Sequence, residues 1–436
     1  MPSARPRLAR VGAFAFCAFG FAAAGCNGCK EPATEKPVDA GKNNVVVEEL
    51  LGLRDAAVPV LDAGADAAAE PDAASPAPLG LDESRCKLAW GPARLPYRGP
   101  GALRVASGHL DVTFHDRGQL RVHRVDYTKP GPKPVRAPVT PGEVSMSFPA
   151  CAPAFGVTGR EARSVYCLGN DGAVMLTRVG VEGQKTVAKA RPSEALAAAA
   201  LGPDHSVVAY LERRMVAGES TLEAHAVLDE GPSIRISDDG AGATFVGLTA
   251  LSDRDVLALM IDARAALSPV HARILRLEGG ALSLQPDTIV HVGASERGGS
   301  AAVARFADGA LIALLPQPTD VTHYGIIGLP LPMPLTMDLT GETFPYPKGL
   351  EFPRVSTATV GQKVYAALTR TRDASKDSLS VLELTEVQRN GSLLPLGVIA
   401  EGVPMLDLDL AADEHGSLWL LYGDGRGSLL ERRVCP

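Results

Sequence analysis

The sequence predicts an all-β fold, a seven-bladed β-propeller, on three observations. Apolar, β-type runs recur about every 50 residues through positions 86–436. Each repeat has room for about four short strands. The last repeat is one strand short, and the start of the repeat region supplies a strand that completes it.

The recurring runs are HLDVTFHD (109–116), ARSVYCLG (162–169), HSVVAYLE (205–212), DVLALMID (255–262), ALIALLPQ (310–317), KVYAALTR (363–370) and SLWLLYGD (417–424). Their starts are separated by 53, 43, 50, 55, 53 and 54 residues. Several are apolar without alternation, the pattern of strands covered on both faces. Most follow a turn bearing Gly or Asp, such as ASGH, LGPD, FADG and DEHG. Six or eight blades, or a two-domain β protein, are the other arrangements this spacing allows.

Three regions precede and contain the repeats: 1–25, 26–85 and 86–436. The first opens with the basic stretch MPSARPRLAR and continues with an uncharged apolar run, residues 11–25. Fifteen residues fall short of the ~20 a spanning helix needs, and the flanks are those of a secretory signal. Residues 26–85 are dominated by Ala, Asp, Pro and Gly, without aromatics. Such a segment buries too little apolar surface to offset ordering entropy, so it reads as a flexible tether with an r.m.s. span of roughly 40 Å. Val45–Leu53 is its one apolar island, read as a transient helix or a partner-binding segment. The chain's net charge of −7 divides as +4 over residues 1–30, −8 over 31–85 and −3 over 86–436. The repeat region is therefore nearly neutral, with no basic footprint for nucleic acid.

Individual repeats can be taken further. SEALAAAALG (193–202) has good helix propensity, yet the repeat phase makes it an innermost strand. In the fifth unit LPLPMPL carries Pro330, Pro332 and Pro334 at alternate positions. Their missing donors fall along one edge, which predicts an outermost, unpaired strand. In the sixth unit Asn390-Gly391 marks a hairpin between LSVLELTEV and LLPLGVI. In the seventh, PMLDLDLA, SLWLLYG and SLLERRV give three strands, and CKLAWGP (86–92) supplies the fourth. Cys86 and Cys435 then become neighbours and a disulfide candidate. Cys151 and Cys167, on what read as adjacent strands of the second unit, are another candidate pair, since sequence does not fix connectivity.

Chemistry-bearing motifs are sparse. Cys26 and Cys29 are spaced C-x-x-C, but no second ligand pair lies nearby for a zinc site and no βαβ setting for a redox pair. His109, His115 and His123 cluster in the first unit, but His115 and His123 do not face each other in any tight-turn register, so no metal site is assigned. Asp407 and Asp409 lie two apart on a strand expected to line the central channel, where paired carboxylates bind cations or serve as acid and base. GDGRG (423–427) precedes a strand rather than a helix and reads as a hairpin turn, not a phosphate cradle. SDDGAGATF (237–245) does not match the spacing of the Asp-box of sialidase propellers, and G-x-S-x-G and H-E-x-x-H are absent. No cofactor is indicated.

AAAGC, ending at Cys26, resembles the lipobox of bacterial lipoproteins, with Ala23 where that family usually has leucine. The resemblance implies lipidation of Cys26, which would tie the chain to a membrane. Asn27, where an aspartate would favour inner-membrane retention, implies the outer membrane. The repeat region is similar in architecture to WD-type and related propellers, without a complete family motif. Together these features look like an uncharacterised propeller lipoprotein. They imply an envelope binding or scaffold module for a protein or glycan partner, most simply as a monomer. The alternative is a propeller-type glycan hydrolase or lyase using Asp407 and Asp409.

Overall fold

Twenty-nine β-strands, and no helix among the described residues, make up the computed structural model. It describes residues 80–81, 85–95, 101–106, 108–116, 119–127, 151–158, 164–169, 172–178, 185–189, 196–216, 218–238, 242–263, 268–294, 301–318, 323–335, 344–349, 351–371, 379–404, 408–424 and 426–435. All belong to the compact unit Pro71–Pro436.

Seven antiparallel sheets follow one another along the chain. The first holds β3 (Gly101–Ala106), β4 (His109–Asp116) and β5 (Gln119–Asp126). The second holds β6 (Cys151–Thr158), β7 (Ser164–Gly169), β8 (Ala173–Arg178) and β9 (Lys185–Lys189). The third holds β10 (Leu196–Leu201), β11 (His205–Val216), β12 (Glu219–Leu228) and β13 (Ser233–Arg235). The fourth holds β14 (Ala243–Ala250), β15 (Asp255–Asp262), β16 (Val270–Glu278) and β17 (Ala281–Leu284), with β18 (Thr288–His291) also paired to β16. The fifth holds β19 (Ala302–Arg305), β20 (Leu311–Pro318), β21 (Tyr324–Leu331) and β22 (Phe344–Gly349). The sixth holds β23 (Glu351–Val360), β24 (Lys363–Thr371), β25 (Leu379–Val387) and β26 (Leu393–Pro404), with β1 (Gly80–Leu81) as a fifth strand. The seventh joins the two ends of the unit, with β27 (Leu408–Ala412), β28 (Ser417–Gly423), β29 (Ser428–Val434) and then β2 (Lys87–Arg94). The first strands of neighbouring sheets touch, β27 meets β3, and the Arg305 guanidinium donates to the Ala250 carbonyl across the fourth and fifth sheets. This ring of up-and-down sheets is a β-propeller.

The seven recurring runs are the second strands, and the packing explains their unbroken apolarity. Each sheet is sandwiched between two others, so both faces of its second strand are buried. On β15, Val256, Ala258 and Met260 pack toward the third sheet, and Leu257, Leu259 and Ile261 toward the fifth. β20 divides likewise, with Leu311, Ala313 and Leu315 to one side and Ile312 and Leu314 to the other. Burying each Val, Leu, Ile or Met among them contributes roughly 1.5–3 kcal/mol. The alanine-rich run at 196–201 is the innermost β10, because small side chains suit the crowded centre and the seam overrides helix propensity.

Two features depart from the sequence reading. The segment read as tether to residue 85 contributes β1, with Gly80 and Leu81 opposite Val398 and Gly397, and Arg85 bonds Glu386 at 3.0 Å. The proline run LPLPMPL begins at the end of β21, a third strand and not the outermost one, and only Pro330 falls within that strand. The outermost is β22, whose register covers Tyr324 to Gly328 and stops before Pro330. Pro330 therefore has no β22 residue paired with it, while Pro332 and Pro334 follow the strand's end at Leu331 and belong to no edge.

The fifth and sixth sheets come into close backbone contact at Gly328 and Gly391. A Cβ on Gly328 would sit 1.9 Å from the Gly391 carbonyl oxygen, a backbone atom of the β25–β26 hairpin. Gly391 itself has φ 95°, which its turn requires. Gly328→Ala is thus expected to destabilise the protein by about 3 kcal/mol, as overpacking against backbone does. Chemical denaturation measures this, and a shift below about 0.5 kcal/mol would mean the two sheets part freely there.

Candidate functional site

The sequence-derived candidates fall in different places. Cys26 and Cys29, and Asp407, lie outside the described residues. Cys86 and Cys435 are joined by a disulfide. The backbone sets Cys151 opposite Gly169 and Cys167 opposite Phe155 across β6 and β7. His115 and His123 pair with Leu120 and Val112 respectively, so they are not opposed, and His109 lies 3.8 Å from Asp111.

Asp409 is on β27, the innermost strand of the seventh sheet, and is partly buried. Its Oδ2 accepts from the Leu103 amide at 2.7 Å, on β3 of the first sheet. Its Oδ1 accepts from Ser356 Oγ at 2.7 Å, on β23 of the sixth, and from the Leu410 amide at 2.9 Å. One carboxylate therefore ties three sheets together at the centre of the ring. Burial pushes its pKa above the usual carboxylate range, against those hydrogen bonds and the Arg354 charge, which favour the ionised form.

A second cluster stands in the seam between the third and fourth sheets. Just after β13, the Ile236 and Ser237 amides both donate to the Ala224 carbonyl, and Ser237 Oγ accepts from the Ala224 amide. This fixes the chain leading into Asp238. β15 ends at Asp262, whose Oδ1 accepts from the Gly242 amide at 3.1 Å. β16 presents His271 and, two residues on, Arg273 on the same face. Asp287 precedes β18, which pairs back onto β16 with Ile289 opposite His271.

His271 Nδ1 and Asp287 Oδ2 are 2.5 Å apart. Arg273 Nη1 donates to the Ile236 carbonyl at 2.8 Å across the seam, and the guanidinium lies 3.5 Å from Asp238 Oδ1 and 3.7 Å from Asp287 Oδ1. Ser237, Asp238, Asp262, His271 and Asp287, with Ala243, Met260 and Ile261, line a small cavity of about 20 Å³. The hydrogen bond to Asp287 raises the His271 pKa, partial burial opposes it, and the charges of Asp287, Asp238 and Asp262 add to the rise. The cluster sets Asp238, Asp262 and Asp287 around the Arg273 guanidinium and the His271 imidazole.

Sequence reading met Ser237 and Asp238 in SDDGAGATF but had no reason to join them to His271 and Asp287. The four come from two sheets and from segments well separated along the chain. The one local signal is the pair of polar residues His271 and Arg273, two apart on a strand face that would otherwise be apolar.

No family model matches the chain, and no curated protein matches it. Solved structures are similar in overall fold. The WD40 domain of Toxoplasma gondii coronin has 9% identity and a TM-score of 0.47, covering 83% of this chain and 89% of that one. AofleA from Arthrobotrys oligospora has 11% identity and a TM-score of 0.38, over 82% and 90% of the two chains. The Aleuria aurantia lectin has 12% identity and a TM-score of 0.38, over 72% and 99%. Likeness this distant carries no functional argument, and the fold assignment rests on the seven sheets themselves.

Proposed function

We propose that the chain is a lipid-anchored envelope protein whose propeller is a binding or scaffold module for a protein or glycan partner. The observation that carries this reading is Asp409. Both oxygens of this carboxylate are engaged by Leu103, Ser356 and Leu410, and it holds three sheets together. A carboxylate whose two oxygens already accept three hydrogen bonds in joining sheets has a structural task, which supports binding over glycan cleavage at the channel. The signal-like N-terminus, the small residues before Cys26 and the acidic tether support the anchor and an outer-membrane location. Several acyl chains on one cysteine give firm attachment, where one chain is marginal.

The anchor and the partner are tested together in envelopes. Cys26→Ala is expected to move the protein from the membrane fraction to the soluble fraction. Unchanged sedimentation with membranes would overturn the anchor. Crosslinking of the intact protein in envelopes, followed by identification of what co-purifies, is expected to return one recurrent protein or glycan. If the purified protein instead cleaves an envelope glycan, and Asp409→Asn abolishes the cleavage without unfolding, the enzyme reading replaces this one.

A further inference from the structure

We propose that Asp238, His271 and Asp287 bind one divalent first-row metal ion, of the Zn2+ type, in the seam between the third and fourth sheets. The inference does not depend on the binding-module reading. Each residue offers one ligand atom, and the three atoms lie within 4.8 Å of one another. One imidazole nitrogen with two carboxylate oxygens is a donor set that Zn2+ and its neighbours accept, with solvent completing the shell. Bonds of about 2.0–2.2 Å put neighbouring ligand atoms roughly 3–3.5 Å apart, so a modest closure suffices. The residue that must move most is Asp238, whose side chain is 68% exposed, while His271 is held on β16 and Asp287 is tied to it just before β18.

Two further observations point to an occupant. The cavity these residues line, about 20 Å³, has room for a single water-sized guest. Asp287 Oδ1 is buried and has no hydrogen-bond partner among the described residues, and its ion-pair contact at 3.7 Å, Arg273 Nε, is likewise without a hydrogen bond there. A buried polar oxygen left without a hydrogen bond is costly, and a metal ion would satisfy it.

Nδ1 of His271 must offer its lone pair, so the proton between it and Asp287 leaves for solvent as the metal–nitrogen bond forms.

The test uses the purified full chain, stripped with chelator, and titrated with Zn2+ by calorimetry and with Co2+ by absorption. The expected result is one ion per chain, with Co2+ bands lacking the intense thiolate-to-metal transition. Asp238→Asn, an exposed change that leaves the fold intact, is expected to weaken binding about tenfold or more, and His271→Gln at least as much. Circular dichroism of the metal-free variants separates lost binding from lost folding, and Asp238→Asn decides if His271→Gln does not fold. Absence of binding, a thiolate band, or affinity unchanged in both variants would each overturn the proposal.

Discussion

Breaking the Cys86–Cys435 bond is expected to lower stability by up to about 5 kcal/mol. The two cysteines are 349 residues apart, so the bond closes nearly the whole repeat region into one loop. In the chain-entropy view such a loop removes much of the unfolded state's freedom, and the gain grows with the logarithm of its length. The position adds to the effect. Cys86 precedes β2 and Cys435 follows β29, the two strands whose pairing joins the start of the ring to its end. Both cysteines are buried, in one cluster with Tyr365, Leu382, Leu418 and Leu420. Arg94 and Asp424 form an ion pair toward the other end of the same two strands, but it is exposed to solvent and adds little. Cys86→Ser with Cys435→Ser should therefore shift the denaturation midpoint sharply and open β2 to proteolysis. Because the sulfurs are enclosed, a mild reductant should act on the native protein only slowly. A double variant within about 1 kcal/mol of the parent would mean that β2 holds its place by strand pairing alone. Such a bond persists in an oxidising compartment, which accords with the proposed export.

What was legible in the sequence was what the ring makes periodic. Every second strand is buried on both faces, so each appears as a short apolar run, and the runs recur. The closing strand was legible because the seventh repeat lacked one. The third strand of the fifth sheet was misplaced for a physical reason. Three prolines at alternate positions read as one strand edge, but the strand ends at Leu331, so only Pro330 lies in it, beyond the reach of the short β22. β22 itself, FPYPKG, escaped notice because two prolines and a glycine make a poor strand. Gly80–Leu81 is too short to carry any pattern and is a strand only through β26. The acidic cluster was hidden by distance. Asp238, His271 and Asp287 acquire meaning from the meeting of two sheets, and no spacing rule links an outer-strand exit to a third strand and a loop of the next sheet. Asp409 was legible as a channel residue, but its hydrogen bonds to Leu103 and Ser356 depend on the closure of the whole ring.

Removing the carboxylate of Asp413 is expected to cost about 3–5 kcal/mol, because it strands a buried guanidinium. Asp413 stands in the turn between β27 and β28. Its Oδ1 accepts from the His415 and Ser417 amides at 3.0 and 2.9 Å, which shapes the turn. Its Oδ2 accepts from Trp419 Nε1 at 3.0 Å and from Arg432 Nη2 at 2.8 Å. Arg432 in turn lies over the Trp419 and Tyr127 rings, 5.5 and 5.6 Å from their centroids, and Trp90 packs 5.8 Å from Trp419. Tyr127 belongs to the first-sheet side, so this group fills the seam where the seventh sheet meets the first. Burial and the hydrogen bond to Glu414 hold the Tyr127 hydroxyl above its ordinary pKa, so it stays a donor at neutral pH. Asp413→Ala removes four accepted hydrogen bonds and leaves Arg432 without its counter-charge. Asp413→Asn keeps the shape but turns an amide N–H toward groups that already donate, so it should recover only part of the loss. The chain's two tryptophans both sit here, so intrinsic fluorescence reports this seam directly. A double-mutant cycle with Arg432→Met measures the pair itself, since a methionine leaves no charge behind. Strong coupling between the two substitutions is expected. Simple additivity, or an Asp413→Asn variant as stable as the parent, would show that the aromatic packing holds this seam without the ion pair.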